Sequence, residues 1–206
     1  MELLVIQPPA DEKRDSERLR TVLRDALEGI SYRILTDMDA LPDLRGRRLL
    51  FALALGEYGV NTACLRLLRR LRAEPGLLSG CVSAMVVDGS GELYTKSAAA
   101  ELAFAVNQAG SALLGRPLVE ATGSLANFKV QAKLLDTDLM GAYCAALRET
   151  AKRLAGETFA KRDAPELLTL HASSYHTSNT MQLWGQIRRR LGESCTVTEK
   201  IGRAHV

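Results

Sequence analysis

The chain has 206 residues, enough for one comfortable domain and too few for two of ordinary size, so any second domain in it must be partial. Its 27 basic and 24 acidic residues leave a net charge of +3. The arginine clusters at 45–48, 69–72 and 188–190 are broken by apolar residues or fall at helical spacing, and few aromatics accompany them. They read as solvated faces and exclude a nucleic-acid partner. Cys64, Cys81, Cys144 and Cys195 lie far apart without a Cys-x-x-Cys pair, and the chain has only three histidines, so neither a disulfide framework nor a metal site is expected.

The amino terminus, Met1 to Pro9, lacks a basic n-region, and its apolar run is too short for a signal peptide or a membrane span. With four free thiols, this predicts a soluble cytoplasmic protein. The same segment opens the first strand, 3–7. A helix follows over 16–27, with Leu19, Val22, Leu23, Ala26 and Leu27 on one face, and then a strand over 32–35. Residues 48–55 are apolar on both faces, as a central strand must be, and Gly56-Glu57-Tyr58-Gly59 ends them before a helix over 61–72. The pattern repeats with a strand at 81–87, a turn-rich loop at 88–96 and a helix at 97–109. A strand at 117–121 and a helix at 136–155 close the series.

Five strands alternating with helices predict an α/β protein, a doubly wound parallel sheet of order 2-1-3-4-5 of the flavodoxin-like kind, over residues 1–160. Leu50, Leu53, Val86 and Val119 are expected to be buried in it. Tyr58, Tyr94, Lys96 and Asn127 fall on its carboxyl-end loops and would converge on one surface, but a local role as turn and capping residues explains them better. Residues 161–165 read as a linker, after which the alternation restarts: strand 167–171, helix 180–191 and a strand near 195–198. The restart is the beginning of a second β-α-β unit over 166–200. In its helix, Leu183, Trp184, Ile187 and Leu191 form an apolar stripe, which places Trp184 in the core.

Between strand and helix of this second unit stands His171-Ala172-Ser173-Ser174-Tyr175-His176-Thr177-Ser178-Asn179-Thr180, with five aliphatic hydroxyls, one amide and no carboxylate. A helix start offers unpaired N–H groups and the positive end of its dipole, so this composition predicts an anion-binding cradle. Capping alone would require a single hydroxyl. The corresponding first loop, residues 7–15, has two prolines without N–H groups and three carboxylates, and a phosphate would be repelled there despite Lys13 and Arg14.

The order Ala-Ser-Ser-Tyr-His-Thr-Ser-Asn-Thr resembles the first loop of the NADPH-dependent FMN reductase branch of the flavodoxin-like proteins, Gly-Ser-Pro-Arg-x-x-Ser-Asn-Thr. Ser173, Ser178, Asn179 and Thr180 match, whereas Ala172, Ser174 and Tyr175 replace Gly, Pro and Arg, so one cation of the family's loop is missing. The resemblance implies FMN held through its phosphate by Ser173, Ser174, Thr177, Ser178, Asn179 and Thr180, with NAD(P)H as electron donor to an FMN oxidoreductase. Catalysis by the flavin needs no acid–base constellation from the protein, and none stands out in the sequence. The alternative is a non-catalytic flavodoxin-like module for docking or homodimerisation.

About 35 residues cannot stand alone as a domain, so the second unit is expected to be cut short and the fragment inactive. Residues 201–206, Ile-Gly-Arg-Ala-His-Val, read as one frame of a common sequencing adapter, ATCGGAAGAGCACACGTC, followed in that adapter by a TGA stop. The authentic sequence is accordingly expected to end near Lys200.

Overall fold

A computed structural model of the chain describes residues 2–157, 165–172, 178–192 and 194–201. The chain divides into two compact units, Met1–Thr158 and Phe159–Val206.

The first unit is built on strands β1 (Leu3–Ile6), β2 (Tyr32–Leu35), β3 (Arg48–Leu55), β4 (Val82–Gly89) and β5 (Ala112–Ala121). All pair in parallel in the order β2-β1-β3-β4-β5, as the alternation predicts. Helices α1 (Glu17–Ala26), α2 (Thr62–Ala73), α3 (Thr95–Gln108), α4 (Lys129–Leu134) and α5 (Leu139–Gly156) accompany them. Because successive side chains in a strand point to opposite faces, the continuous apolar runs of β1, β3 and β4 divide between two cores. Leu3, Val5, Leu50, Ala52 and Val86 pack with Leu19, Val22 and Leu23 of α1 and with Tyr143, Leu147 and Leu154 of α5. Leu4, Ile6, Leu49, Phe51, Leu53, Met85 and Val87 pack on the other face with Leu67 and Leu71 of α2 and Leu102 and Val106 of α3. Leu50, Leu53, Val86 and Val119 are all buried, as expected.

Three details go beyond the sequence reading. The β2–β3 crossover, where the sequence reading placed no helix, is irregular chain, and it covers its part of the sheet with Met38, Leu41 and Leu44. β5 begins at Ala112, five residues before the expected start. Its register with β4 slips between Ser83↔Leu113 and Met85↔Leu118, and the surplus residues include Gly115, Arg116 at φ 55° and Pro117. An edge strand tolerates such a bulge and a residue without an N–H, which is why the glycine and proline resemble a strand boundary. Third, α4 has only six residues, too few to leave a periodic signal.

The second unit consists of β6 (Glu166–His171), α6 (Asn179–Leu191) and β7 (Thr196–Ile201). β6 and β7 pair in parallel, from Glu166↔Thr196 to His171↔Ile201, so α6 lies in the crossover of a β-α-β unit. Gly192 follows α6 at φ 52°, a left-handed exit that glycine makes without a Cβ penalty.

Candidate functional site

In a doubly wound sheet the ligand crevice lies beyond the carboxyl ends of the strands. In the first unit, the loops there are tied to one another largely by acidic side chains. Asp11, in the loop after β1, accepts the backbone N–H of Thr62, the first residue of α2, at 3.1 and 3.2 Å through its two oxygens. Asp15 accepts the Ser90 hydroxyl of the loop after β4 at 2.6 Å. Glu92 accepts the N–H of Ser124, after β5, at 2.5 Å, and hydrogen bonding from the Ser124 side chain and then its N–H holds the carboxyl below the usual range. Close backbone approach completes the set. A Cβ on Gly91 would stand 2.7 Å from the Glu57 carbonyl oxygen, and one on Gly123 would stand 2.6 Å from that of Ser90.

Asn61 fixes the start of α2. Its side chain accepts the Cys64 N–H at 2.7 Å and donates to the Ala54 carbonyl at 2.8 Å, joining the helix to the end of β3. Between them, Asn61 and Asp11 satisfy two of the N–H groups that a helix start would otherwise offer an anion.

Beneath these loops, Asp88 at the end of β4 is buried and receives the Arg18 guanidinium of α1, with Nη2 to Oδ1 at 2.7 Å and Nε within 3.2 Å of both oxygens. Arg18 also donates to the carbonyls of Gly123 at 2.7 Å, Gly89 at 2.9 Å and Thr122 at 3.0 Å. Tyr143 of α5 donates its hydroxyl to Asp88 at 3.0 Å. Burial pushes the Asp88 carboxyl up and outweighs the opposing pull of Arg18, while burial and the neighbouring Asp88 raise Tyr143 well above an ordinary phenol. One arginine thus holds the ends of β4 and β5 against α1. Sequence reading missed this cluster, although an aspartate directly after Met85-Val86-Val87 in a central strand is the signal that could have found it.

Of the four residues expected to converge on this edge, two do so. Tyr58 and Tyr94 are 79% and 53% exposed, and a Cβ on Gly59 would run into the Tyr94 side chain. Tyr94 takes a left-handed conformation, φ 73°, at the cap of α3; exposed Leu93 precedes it, and exposed Val60 lies two residues after Tyr58. Lys96 is exposed in the first turn of α3. Asn127 braces its own turn instead, donating to the Glu120 carbonyl at 2.7 Å and accepting from the Thr122 hydroxyl at 3.3 Å.

In the second unit, Ser178 is the N-cap of α6 and its hydroxyl oxygen accepts the Met181 N–H at 3.4 Å. Asn179 and Thr180, the first two helical residues, are exposed, and no acidic residue occupies the first turn. Ser173, Ser174 and Thr177 lie outside the described residues. The His171 ring, at the end of β6, meets the Trp184 ring of α6 with centroids 5.8 Å apart. Trp184 is half-buried with its ring nitrogen shielded rather than in a core, and Leu183 and Ile187 of the expected stripe are exposed, no residue of α6 being fully buried. Among the described residues no three His, Cys, Asp or Glu side chains are grouped to hold a metal ion, and no helix is long and apolar enough to cross a membrane.

No protein-family model matches the sequence, and no curated protein matches it. Solved structures do. A short-chain flavodoxin associated with a non-canonical PDU bacterial microcompartment superposes with a TM-score of 0.50 at 12% identity, over 75% of this chain and 96% of its own. RosB with a bound 8-demethyl-8-formylriboflavin-5'-phosphate intermediate gives 0.49 at 11%, over 75% and 79%. The flavodoxin of Fusobacterium nucleatum bound to flavin mononucleotide gives 0.48 at 10%, over 74% and 98%. The chain therefore has a flavodoxin-like fold, and identities this low show the fold alone.

Proposed function

We propose that the chain serves an NAD(P)H-dependent FMN oxidoreductase of the flavodoxin type, with the FMN phosphate held at the start of α6 and the first unit acting as a scaffold. The observation that carries this reading is a contrast between two helix starts. α2 opens onto Asp11, whose carboxylate already accepts the Thr62 N–H, whereas α6 opens from a hydroxyl-rich loop and has no acid in its first turn. A phosphate placed at α6 meets free helical N–H groups, the positive end of the dipole and the hydroxyl of Thr180, with Ser178 and Asn179 beside it. Ser173, Ser174 and Thr177 belong to the same loop by sequence. At the edge of the first unit, a phosphate would meet Asp11, Asp15 and Glu92.

When bound, the isoalloxazine supplies the hydride chemistry; the chain's own residues bind and orient the phosphate end. The four thiols, all free, suit a reducing cytoplasm. A second reading, a docking or homodimerisation module, is favoured by the exposure of Tyr58, Val60, Leu93 and Tyr94 at the first unit's carboxyl edge. Recombinant protein whose reading frame continues past Lys200 separates the two. Flavin retention with NAD(P)H oxidation supports the oxidoreductase, and a colourless protein with stable self-association supports the module.

A further inference from the structure

We infer that His171 is a phosphate-binding residue of the α6 site, donating from Nε2. This rests on the assignment of the phosphate to that loop. His171 is 8% exposed, and its Nε2 is shielded from water with no hydrogen-bond partner among the described residues. Buried polar atoms in native proteins are almost always paired, and an orphan calls for a water, an ion or a ligand. Thr169 Oγ1 and Trp184 Nε1 of this unit are also shielded and unpartnered there, but their positions differ. Thr169 lies two residues back inside β6, and Trp184 is in the second turn of α6. Glu199 Oε1, likewise shielded, has the Arg188 guanidinium at 2.8 Å. His171 alone is the last residue of β6, at the carboxyl end of a parallel strand, where the chain leaves for the start of α6.

The ring is held there. Its contact with Trp184 and its burial fix the imidazole between strand end and helix, so pairing with a ligand would cost the ring little conformational freedom. With its proton on Nε2 the ring donates, as do the site's other groups, the first N–H groups of α6 and the hydroxyl of Thr180. A phosphate monoester accepts from all of them at once.

The test is side-chain 15N NMR of His171 in the full chain, with FMN, riboflavin and inorganic phosphate as titrants, beside fluorescence titrations of FMN into wild type, His171→Gln and His171→Leu. FMN and phosphate should both move the Nε2 resonance, and riboflavin, which has no phosphate, should not. His171→Leu should weaken FMN binding roughly tenfold, the loss of about one hydrogen bond to a charged group. His171→Gln, which keeps an N–H donor, should recover part of it. Should the leucine variant fail to fold, the wild-type resonance decides alone. A resonance unmoved by FMN while Thr180→Ala weakens binding would overturn the role of His171 and leave the phosphate assignment standing. No binding of FMN or phosphate to the wild type would overturn both.

Discussion

Asp11 accepts the backbone N–H of Thr62 at 3.1 Å, so the first turn of α2 has a carboxylate from its own chain where an anion at that helix start would otherwise sit. The carboxyl edge of this sheet is thus already supplied with anions of its own. Replacing Asp11 with Ala removes one favourable charge from a helix start and should cost about 0.3–1 kcal/mol, read as a lower urea midpoint with unchanged slope. An unchanged midpoint would mean that the exposed contact is too well solvated to count.

The Arg18–Asp88 pair should be the most sensitive point of the first unit. With Arg18 replaced by Met, Asp88 remains buried without its partner, and the expected loss at neutral pH is about 3–5 kcal/mol. The pH dependence has a definite sign. Burial raises Asp88 in the folded state above its unfolded value of 3.8, so its contribution is most favourable below 3.8 and declines as pH rises through the folded value. The Arg18→Met protein should therefore recover stability on acidification toward pH 4, and the Arg18→Met/Asp88→Asn double variant should regain much of it at neutral pH. Thermal melts across pH measure both, and a loss independent of pH would contradict the account.

Burial pushes the Cys64 thiol up to about 12, so almost no thiolate exists at pH 8 in the folded chain. Mass-spectrometric mapping after brief alkylation should find the half-buried Cys195 labelled first and Cys64 labelled only with denaturant. Rapid labelling of Cys64 in the native protein would show that the second core, where α2 packs, opens readily.

Much of the first unit can be read from its residues because a two-sided sheet writes itself as runs such as Leu49 to Leu55 and Val82 to Val87. What escaped depends on contacts distant in sequence. Arg18 looks like any polar position of an amphipathic helix, and nothing local says that it crosses to Asp88, Thr122 and Gly123. Gly115 and Pro117 carry real turn chemistry, but an edge strand absorbs it as a bulge. At the candidate site, the composition of 171–180 raises the expectation of an anion site, whereas the orphaned His171 nitrogen becomes visible only when α6 is packed against β6. Asn127 resembles a ligand residue in the sequence, yet it is committed to its own turn.

Asp43 offers a local check on electrostatics away from the site. The Arg45 side chain, donating to it at 2.9 Å, lowers its pKa from 3.8 to about 2. Its contribution to stability is therefore present above 3.8 and lost as pH falls toward 2. Carboxyl 13C NMR should find the midpoint near 2 in the wild type and displaced toward 3.8 in Arg45→Ala. An identical midpoint in both proteins would show that the pair is not maintained in solution.

The central claim, that the phosphate belongs to the start of α6 and not to the first unit, is tested most directly by FMN affinity in single variants of the full chain. Thr180→Ala leaves the Ser178 cap intact and should weaken FMN by about 1–3 kcal/mol if its hydroxyl meets the phosphate. Ser16→Ala removes a hydroxyl that donates to the Lys13 carbonyl at 2.9 Å in the first unit, and it should leave FMN affinity as it was. Equal losses from both variants, or a loss from Ser16→Ala alone, would place the phosphate on the first unit's edge and contradict the account.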